Sequence, residues 1–379
     1  MTVTEIDTGQ LTATLRESLA IQTPLAQDRE RDPRLRAFNE AFIAPRLERV
    51  GARVGYDQLG NLTAYLDGTG SPLMFAVYVM THPAGTMPHA FEPRLVTADF
   101  GAGAEPAIRG RGACEQRAGM CAVLAAVEAC AGHPARRPVI VASLVSGESG
   151  SHDAVASAVD SLQDRPDAAV VAVCTDNTLV IGHKGRLDLH LRAIGRAAHS
   201  SSPQLGVNAA EMMVAALPGV LAARRDAARH PALGEATIAL IDLESGPKGS
   251  HTIPGYCTAT LDVRLLPGDD PAAVMAQLTA AGDGIQASQG NTMLPAQVPE
   301  TADIVRDLRA ASQRATGQPA RVRWFAASTD MGYLNSAGIP TVCFGPGDER
   351  LAHTDEDQVA VSQVAAAARI YAELITDGR

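Results

Sequence analysis

Lysine is nearly missing from this chain: of 32 basic side chains in 379 residues, only Lys184 and Lys248 are lysines. The basic total is outweighed by 42 acidic residues, for a formal net charge of −10. That balance argues against a general binder of nucleic acid or of an anionic membrane, since both require basic surface. The preference for arginine over lysine is given no functional weight. Aromatic residues are scarce too, with one Trp, six Tyr and seven Phe, too few for stacking platforms that hold bases or sugars. No segment approaches the roughly 18 consecutive apolar residues of a membrane-spanning helix, and the strand-like run from Pro72 to Met80 is much shorter. The opening residues, MTVTEIDTGQ, have neither the basic nor the apolar region of a secretory signal. Cys114, Cys121, Cys130, Cys174, Cys257 and Cys343 follow no spacing of a disulfide framework or zinc ribbon. Reduced thiols in a cytoplasmic protein are the expectation.

What is present is globular: 46% apolar and 20% charged residues, long enough at roughly 150 residues per domain for two or three domains. Apolar residues at three- and four-residue spacing predict helices over Leu11–Ala20 and Arg34–Val50. Gly60-Asn61 marks a turn, and LMFAVYV from Leu73 to Val79 reads as a buried strand. Pro83 to Arg109, polar and rich in Gly and Pro, reads as loop. A helix over Gln116–Cys130, a strand over Val139–Val145, a helix from Asp153 and a strand over Ala168–Cys174 follow. This alternation predicts an α/β domain with a mostly parallel sheet. The middle differs: LDLHLRAI, from Leu187, alternates as a half-exposed strand does. With helices over Ala209–Arg229 and Pro271–Ala281 and strands near Thr237–Leu243 and Tyr256–Leu265, it predicts a small α+β sandwich inserted into the first domain. The expected division is 1–186 and 298–379 for the α/β domain and 187–297 for the insert, and the last helix runs from about Val361 to Ile375.

Sites in open parallel sheets gather at the carboxyl ends of the strands. Reading those positions gives His82 after Val79, Glu115 beside the turn GRGAC, Glu148 in SGESGS, Asp176 after Cys174, and His353 in the loop GPGDERLAH. Two histidines and three carboxylates at strand ends form a ligand set for two closely spaced zinc-like ions that share one carboxylate. Each residue alone is weak, and the convergence carries the inference. Cys114, beside a helix start where a dipole lowers a thiol pKa, is a candidate nucleophile, although a small packing residue is the plainer reading. His89, His133, His152, His190 and His230 read mostly as surface residues, and His183 as structural.

The motifs support a resemblance. GRGACEQRAGM resembles the Gly-Arg-Gly-Ala-x-Asp-x-Lys-Gly signature of the acetylornithine deacetylase and succinyl-diaminopimelate desuccinylase family, metallopeptidase family twenty. SGESGSHDA resembles its Asp-Glu-Glu-x-Gly-Ser-x-Gly-Ala signature. GHKGRLDLHLRAIGRAAHSSSPQLGVNAA, HTIPG, LDVR, STDMGY, GIPTVCFGPG and AHTDEDQV follow in the family's order and cover nearly the whole chain. The resemblance implies a zinc-peptidase-like catalytic domain with a ferredoxin-like lid through which the protein forms a homodimer. It implies one metal held by His82, Glu115 and Asp176 and another by Glu115, Glu148 and His353, zinc or another divalent ion. It also implies that His199 reaches into the partner subunit's site to stabilise an oxyanion, and that Arg264 and the Gly345–Gly347 loop contact a small substrate.

Departures from the family pattern cluster at the site. Glu115 stands where the family has Asp, Ala84 where an Asp orients the first His, and Arg117 and Ala118 where it has Lys and Gly. Met80-Thr81-His82 is an alternative placement of the first motif, one that leaves no His in its first position. His251 replaces Asn before Thr-Ile-Pro, as a proton donor, a substrate contact or an exposed turn residue. Gly332 replaces an Arg. Most consequential is Gly147, in place of the general-base Glu, a role typically worth about 10²–10⁴-fold. Three readings follow. The first is an atypical metal-dependent amidohydrolase acting on a carboxylate-bearing N-acyl amino acid or dipeptide-like substrate, with His199, Glu148 and Glu115 catalytic. The second is a non-hydrolytic transacylase, cyclase or lyase on the same scaffold. The third is a catalytically inactive paralogue that binds a ligand or a partner, and whether one, two or no ions bind is left open by the sequence. On the first, restoring Glu at position 147 is expected to raise the hydrolytic rate.

Overall fold

Leu73–Tyr78 is apolar throughout, and all six residues are buried, as suits a strand covered on both faces. It lies parallel to Val139–Leu144 on one side and Ala168–Val171 on the other. From Ala168–Val171 the sheet continues to the parallel strand Thr341–Cys343. From Val139–Leu144 it continues to the antiparallel strands Leu62–Leu66 and Arg53–Tyr56. The computed structural model describes residues 5–24, 32–101, 103–147, 150–224, 229–249 and 251–376. The chain divides into two units: 1–181 with 298–323 and 329–379, and 182–297 with 324–328.

In the first unit the helices form two groups. Thr8–Ala20, Ala118–Cys130 and Val361–Thr376 pack on one another, and Asp153–Asp160 packs on Met331–Ser336. The helix Ala118–Cys130, apolar but for Glu128, is buried along most of its length, which explains its lack of a polar stripe. It is preceded by a π-helical turn, Ala113–Arg117, of the kind often found at functional sites. The segment expected to be a loop holds two strands, Arg94–Asp99 and Ala104–Arg109, paired antiparallel. The second also pairs with Gln358–Ala360. Pro106 sits in the ladder opposite Thr97, and Arg94–Asp99 is largely exposed, so neither strand showed the alternation that marks one from sequence.

The second unit runs strand, helix, strand, strand, helix, strand. Gly185–Ile194 and Tyr256–Leu265 are the inner strands, flanked by Gln286–Met293 and Ile238–Gly246, all antiparallel. This is the split β-α-β arrangement of ferredoxin-like folds. Alternate residues Leu187, Leu189, Leu191, Leu261 and Val263 point into a core closed by Met213, Leu217, Val274 and Leu278 of the helices Ala209–Ala222 and Pro271–Ala281. Among the described residues no helix is long and apolar enough to cross a membrane.

Candidate metal centre

Three of the residues picked from strand ends meet in the first unit. Glu115 lies in the π-turn and is buried. Its Oε1 is 2.8 Å from His353 Nε2 and its Oε2 is 3.9 Å from His82 Nε2. The two imidazoles lie with centroids 3.5 Å apart at an interplanar angle of 43°. One donor atom from each of the three residues falls within 4.8 Å of the others. Two imidazoles and a carboxylate are the protein donors of many catalytic zinc sites and of other divalent-ion sites, so the donor set fits a divalent ion.

Local structure explains how the three converge. His82 follows the buried central strand, where Thr23 anchors the chain: its hydroxyl donates to Val79 O at 2.7 Å, and its carbonyl accepts from Thr81 N at 2.9 Å. Glu115 is presented by the turn that begins at the left-handed Gly112, φ 86°. His353 itself has φ 64°, a left-handed conformation uncommon outside glycine. The hydrogen bond that Glu115 accepts raises the His353 pKa against the opposing effect of burial. Burial lowers that of His82, and the neighbouring His353 and Arg111 add to the effect against the attraction of Glu115. Equal access to the protonated form is thereby denied: His353 is the imidazole that holds a proton more readily.

Asp176 is not part of this group. Its φ is 56°, its N–H donates to Gly347 O at 2.8 Å, and its carboxylate accepts from Gln363 Nε2 at 2.5 Å. The same Gln363 accepts from Gly347 N at 3.2 Å. Gln363 therefore clamps Asp176 to the Gly345–Gly347 loop, a role that nothing in its sequence context signalled. Glu148 lies outside the described residues. Gly345 and Gly347 are buried and pressed against the chain itself: a Cβ would lie 2.5 Å from Val173 O at the first and 2.2 Å from Cys114 O at the second. Cys114 is fully buried, and burial pushes its thiol pKa well up, with Asp357 adding to the effect. It therefore lacks the thiolate character that a nucleophile needs.

The sequence reading missed a second cluster. His152, expected at the surface, is buried, with φ 59°. Its Nδ1 lies 2.6 Å from Asp330 Oδ1, while Tyr78 donates to Asp330 Oδ2 at 2.8 Å. Tyr78 also accounts for Gly147. A Cβ at position 147 would lie 1.9 Å from Tyr78 Cε1 and 2.3 Å from its Cδ1. The space a side chain at 147 would fill already holds a ring, so the expected benefit of restoring Glu there does not fit this chain. Arg117 is fully buried too, its guanidinium 3.8 Å from the Phe38 ring centroid and donating to Thr23 Oγ1 at 2.6 Å.

In the second unit His199 and His251 are exposed, with ring centroids 6.3 Å apart. His251, φ 57°, sits in the turn before Thr252–Ile253, whose strand pairs with Ala198–His199. Arg264 is half-buried and tied to Asp262 of its own strand, Nε to Oδ1 at 2.8 Å.

Residues 181–285 match the M20 peptidase dimerisation domain family. Succinyl-diaminopimelate desuccinylase 2 of Shewanella loihica is 25% identical over 89% of this chain and 94% of its own. Acetylornithine deacetylase of Pectobacterium carotovorum is 33% identical over 29% of this chain and 30% of its own. The structure of an M20 family metallo-carboxypeptidase from Sulfolobus solfataricus superposes with TM-score 0.79 at 17% identity, covering 97% of this chain and 98% of that one. A tripeptidase from Staphylococcus aureus gives 0.76 at 17% identity over 98% of both chains. The mixed α/β fold with a central, mostly parallel sheet is shared with these structures.

Proposed function

We propose, on the premise that this chain is a relative of the acetylornithine deacetylase and succinyl-diaminopimelate desuccinylase family, that it is a metal-dependent amidohydrolase built on His82, Glu115 and His353. The observation that carries the reading is the single carboxylate of Glu115 facing both imidazoles, one on each oxygen. Zinc or another divalent ion held by these three side chains would supply Lewis-acid polarisation of a substrate carbonyl. Glu115 Oε1, 2.8 Å from His353 Nε2, keeps these two side chains turned to one point. The substrate class is a small carboxylate-bearing N-acyl amino acid or dipeptide-like molecule, the kind of amide on which the named relatives act. Arg264 and His251 are proposed to recognise its carboxylate, His199 to stabilise the oxyanion in the partner subunit's site, and Glu148 to serve as base. The match of residues 181–285 to a dimerisation domain supports a homodimer formed through a lid of residues 187–297, with 1–186 and 298–379 as the catalytic domain. Six free, buried cysteines suit a reducing, cytoplasmic setting.

Zinc or cobalt titration of the wild-type protein and of His353→Ala and Glu115→Gln tests the site, and amine release from a panel of N-acyl amino acids tests the reaction. Stoichiometric binding lost in both variants, with amine release that depends on the ion, is the expected result. Wild-type protein that binds no ion after reconstitution overturns the reading. One observation favours a second reading, a non-hydrolytic acyl transfer or cyclisation: the Tyr78 ring fills the space that a side chain at position 147 would take. A rearranged or transferred product without free amine would select it.

A further inference from the structure

We propose that Arg111 and Asp357 are positioning residues that hold the His82, Glu115 and His353 donors at one point, an inference that rests on the metal-site reading above. The three donors sit on three separate segments, and nothing in the backbone of one dictates the place of another. Donor placement in such sites has to hold to within about 0.5 Å. A buried pair ties the segments together. Arg111 Nη2 donates to Ala84 O at 2.9 Å, two residues beyond His82. Its Nη1 donates to Thr354 O at 2.9 Å, one residue beyond His353. Asp357 Oδ2 accepts from Gly112 N at 2.6 Å and Oδ1 from Cys114 N at 3.0 Å, in the turn that presents Glu115. Arg111 Nη1 and Asp357 Oδ2 are 3.5 Å apart, and the two side chains are 3% and 1% exposed.

Both side chains hydrogen-bond to the backbone beside the donors. A buried ion pair is poor evidence of stabilisation, because apolar replacements are often neutral or better. Here its distinguishing property is reach: one guanidinium fork and one carboxylate contact all three donor segments. Only arginine supplies that fork. Lysine, a point charge with a single nitrogen, cannot serve both carbonyls and the carboxylate with the same geometry.

The test uses the full-length protein with Co²⁺ as probe, read by visible absorption, alongside thermal unfolding of the ion-free protein. Arg111→Lys and Asp357→Asn are compared with wild type and with Arg224→Lys. Arg224 belongs to another ion pair, buried itself and 2.5 Å from the partly exposed Asp269, in the second unit. The expected result is folded ion-free Arg111→Lys and Asp357→Asn proteins whose Co²⁺ affinity falls about 10–100-fold with an altered spectrum, while Arg224→Lys binds as wild type does. Unchanged affinity and spectrum in folded variants overturn the proposal and leave the metal site standing. If one variant fails to fold, the other decides; if neither folds, the pair is a folding element and the proposal fails. Wild-type protein without a Co²⁺ spectrum overturns the site reading and this proposal with it.

Discussion

Gly147→Ala should damage this protein far more than an added methyl group ordinarily does, and Gly147→Glu should not restore hydrolysis. The Cβ would lie 1.9 Å from Tyr78 Cε1, 2.3 Å from Cδ1 and 2.7 Å from Cζ, where carbon atoms normally settle at about 3.5–4.0 Å. The ring must therefore retreat by roughly 1.5 Å or the Gly147 backbone must move. Tyr78 is fully buried, and its hydroxyl is tied to Asp330 at 2.8 Å. Overpacking costs about 1–3 kcal/mol, and loss of a hydrogen bond to a charged group adds about 1.5–3 kcal/mol. Together they predict roughly 2.5–6 kcal/mol of destabilisation, a large share of the about 5–15 kcal/mol that holds a typical protein folded.

Urea unfolding of wild type, Gly147→Ala, Tyr78→Ala and the double variant measures this as a cycle. Tyr78→Ala alone should cost about 3–5 kcal/mol through the cavity it leaves. In that background Gly147→Ala should cost less than about 1 kcal/mol, which gives a coupling of a few kcal/mol between the two positions. A single Gly147→Ala variant within about 1 kcal/mol of wild type, or additive costs in the cycle, would refute the steric argument. So would a folded Gly147→Glu protein that hydrolyses N-acyl amino acids faster than wild type.

Gly347→Ala should weaken both the fold and ion binding, because φ is 102° and the new Cβ would lie 2.2 Å from Cys114 O in the turn that carries Glu115. Strain and overpacking each contribute about 1–3 kcal/mol, and a melting temperature and Co²⁺ affinity equal to wild type would count against it. Burial pushes the Cys121 and Cys130 thiols up to about 12 from 9.0. A raised folded-state pKa confers stability that is complete below the unfolded value and lost as pH climbs through the folded one. Urea midpoints should therefore decline from about pH 9 toward 12, and less steeply in Cys121→Ala; an unaltered slope in that variant removes the thiol from the explanation. Native protein should react with a thiol reagent only on the unfolding timescale, Cys114 included, and rapid labelling of Cys114 would revive it as a nucleophile.

The parts of this protein that repeat a pattern along the chain were legible from it. Leu73–Tyr78 announces a buried strand because every position is apolar, and Leu187 to Ile194 announces a half-exposed one because its apolar positions alternate. His82, Glu115 and His353 were found because strand ends in a parallel sheet are where side chains converge. What stayed hidden depends on pairs distant in sequence. Tyr78 and Asp330 are 252 positions apart, and no spacing rule connects a strand tyrosine to a loop aspartate. Gly147 read as a deletion of function when only its own motif was in view. Beside the Tyr78 ring it reads as an accommodation, since a chain that places an aromatic ring there has room for nothing but glycine. Asp176 shows the converse: its position at a strand end was right, but its left-handed backbone and the amide of Gln363 turn its carboxylate to another partner. Tyr78, Gly147 and His152 are thus one packed arrangement, with the Tyr78 ring over Gly147 and both Tyr78 and His152 on the Asp330 carboxylate, and changing any one of them alone sets it against the other two.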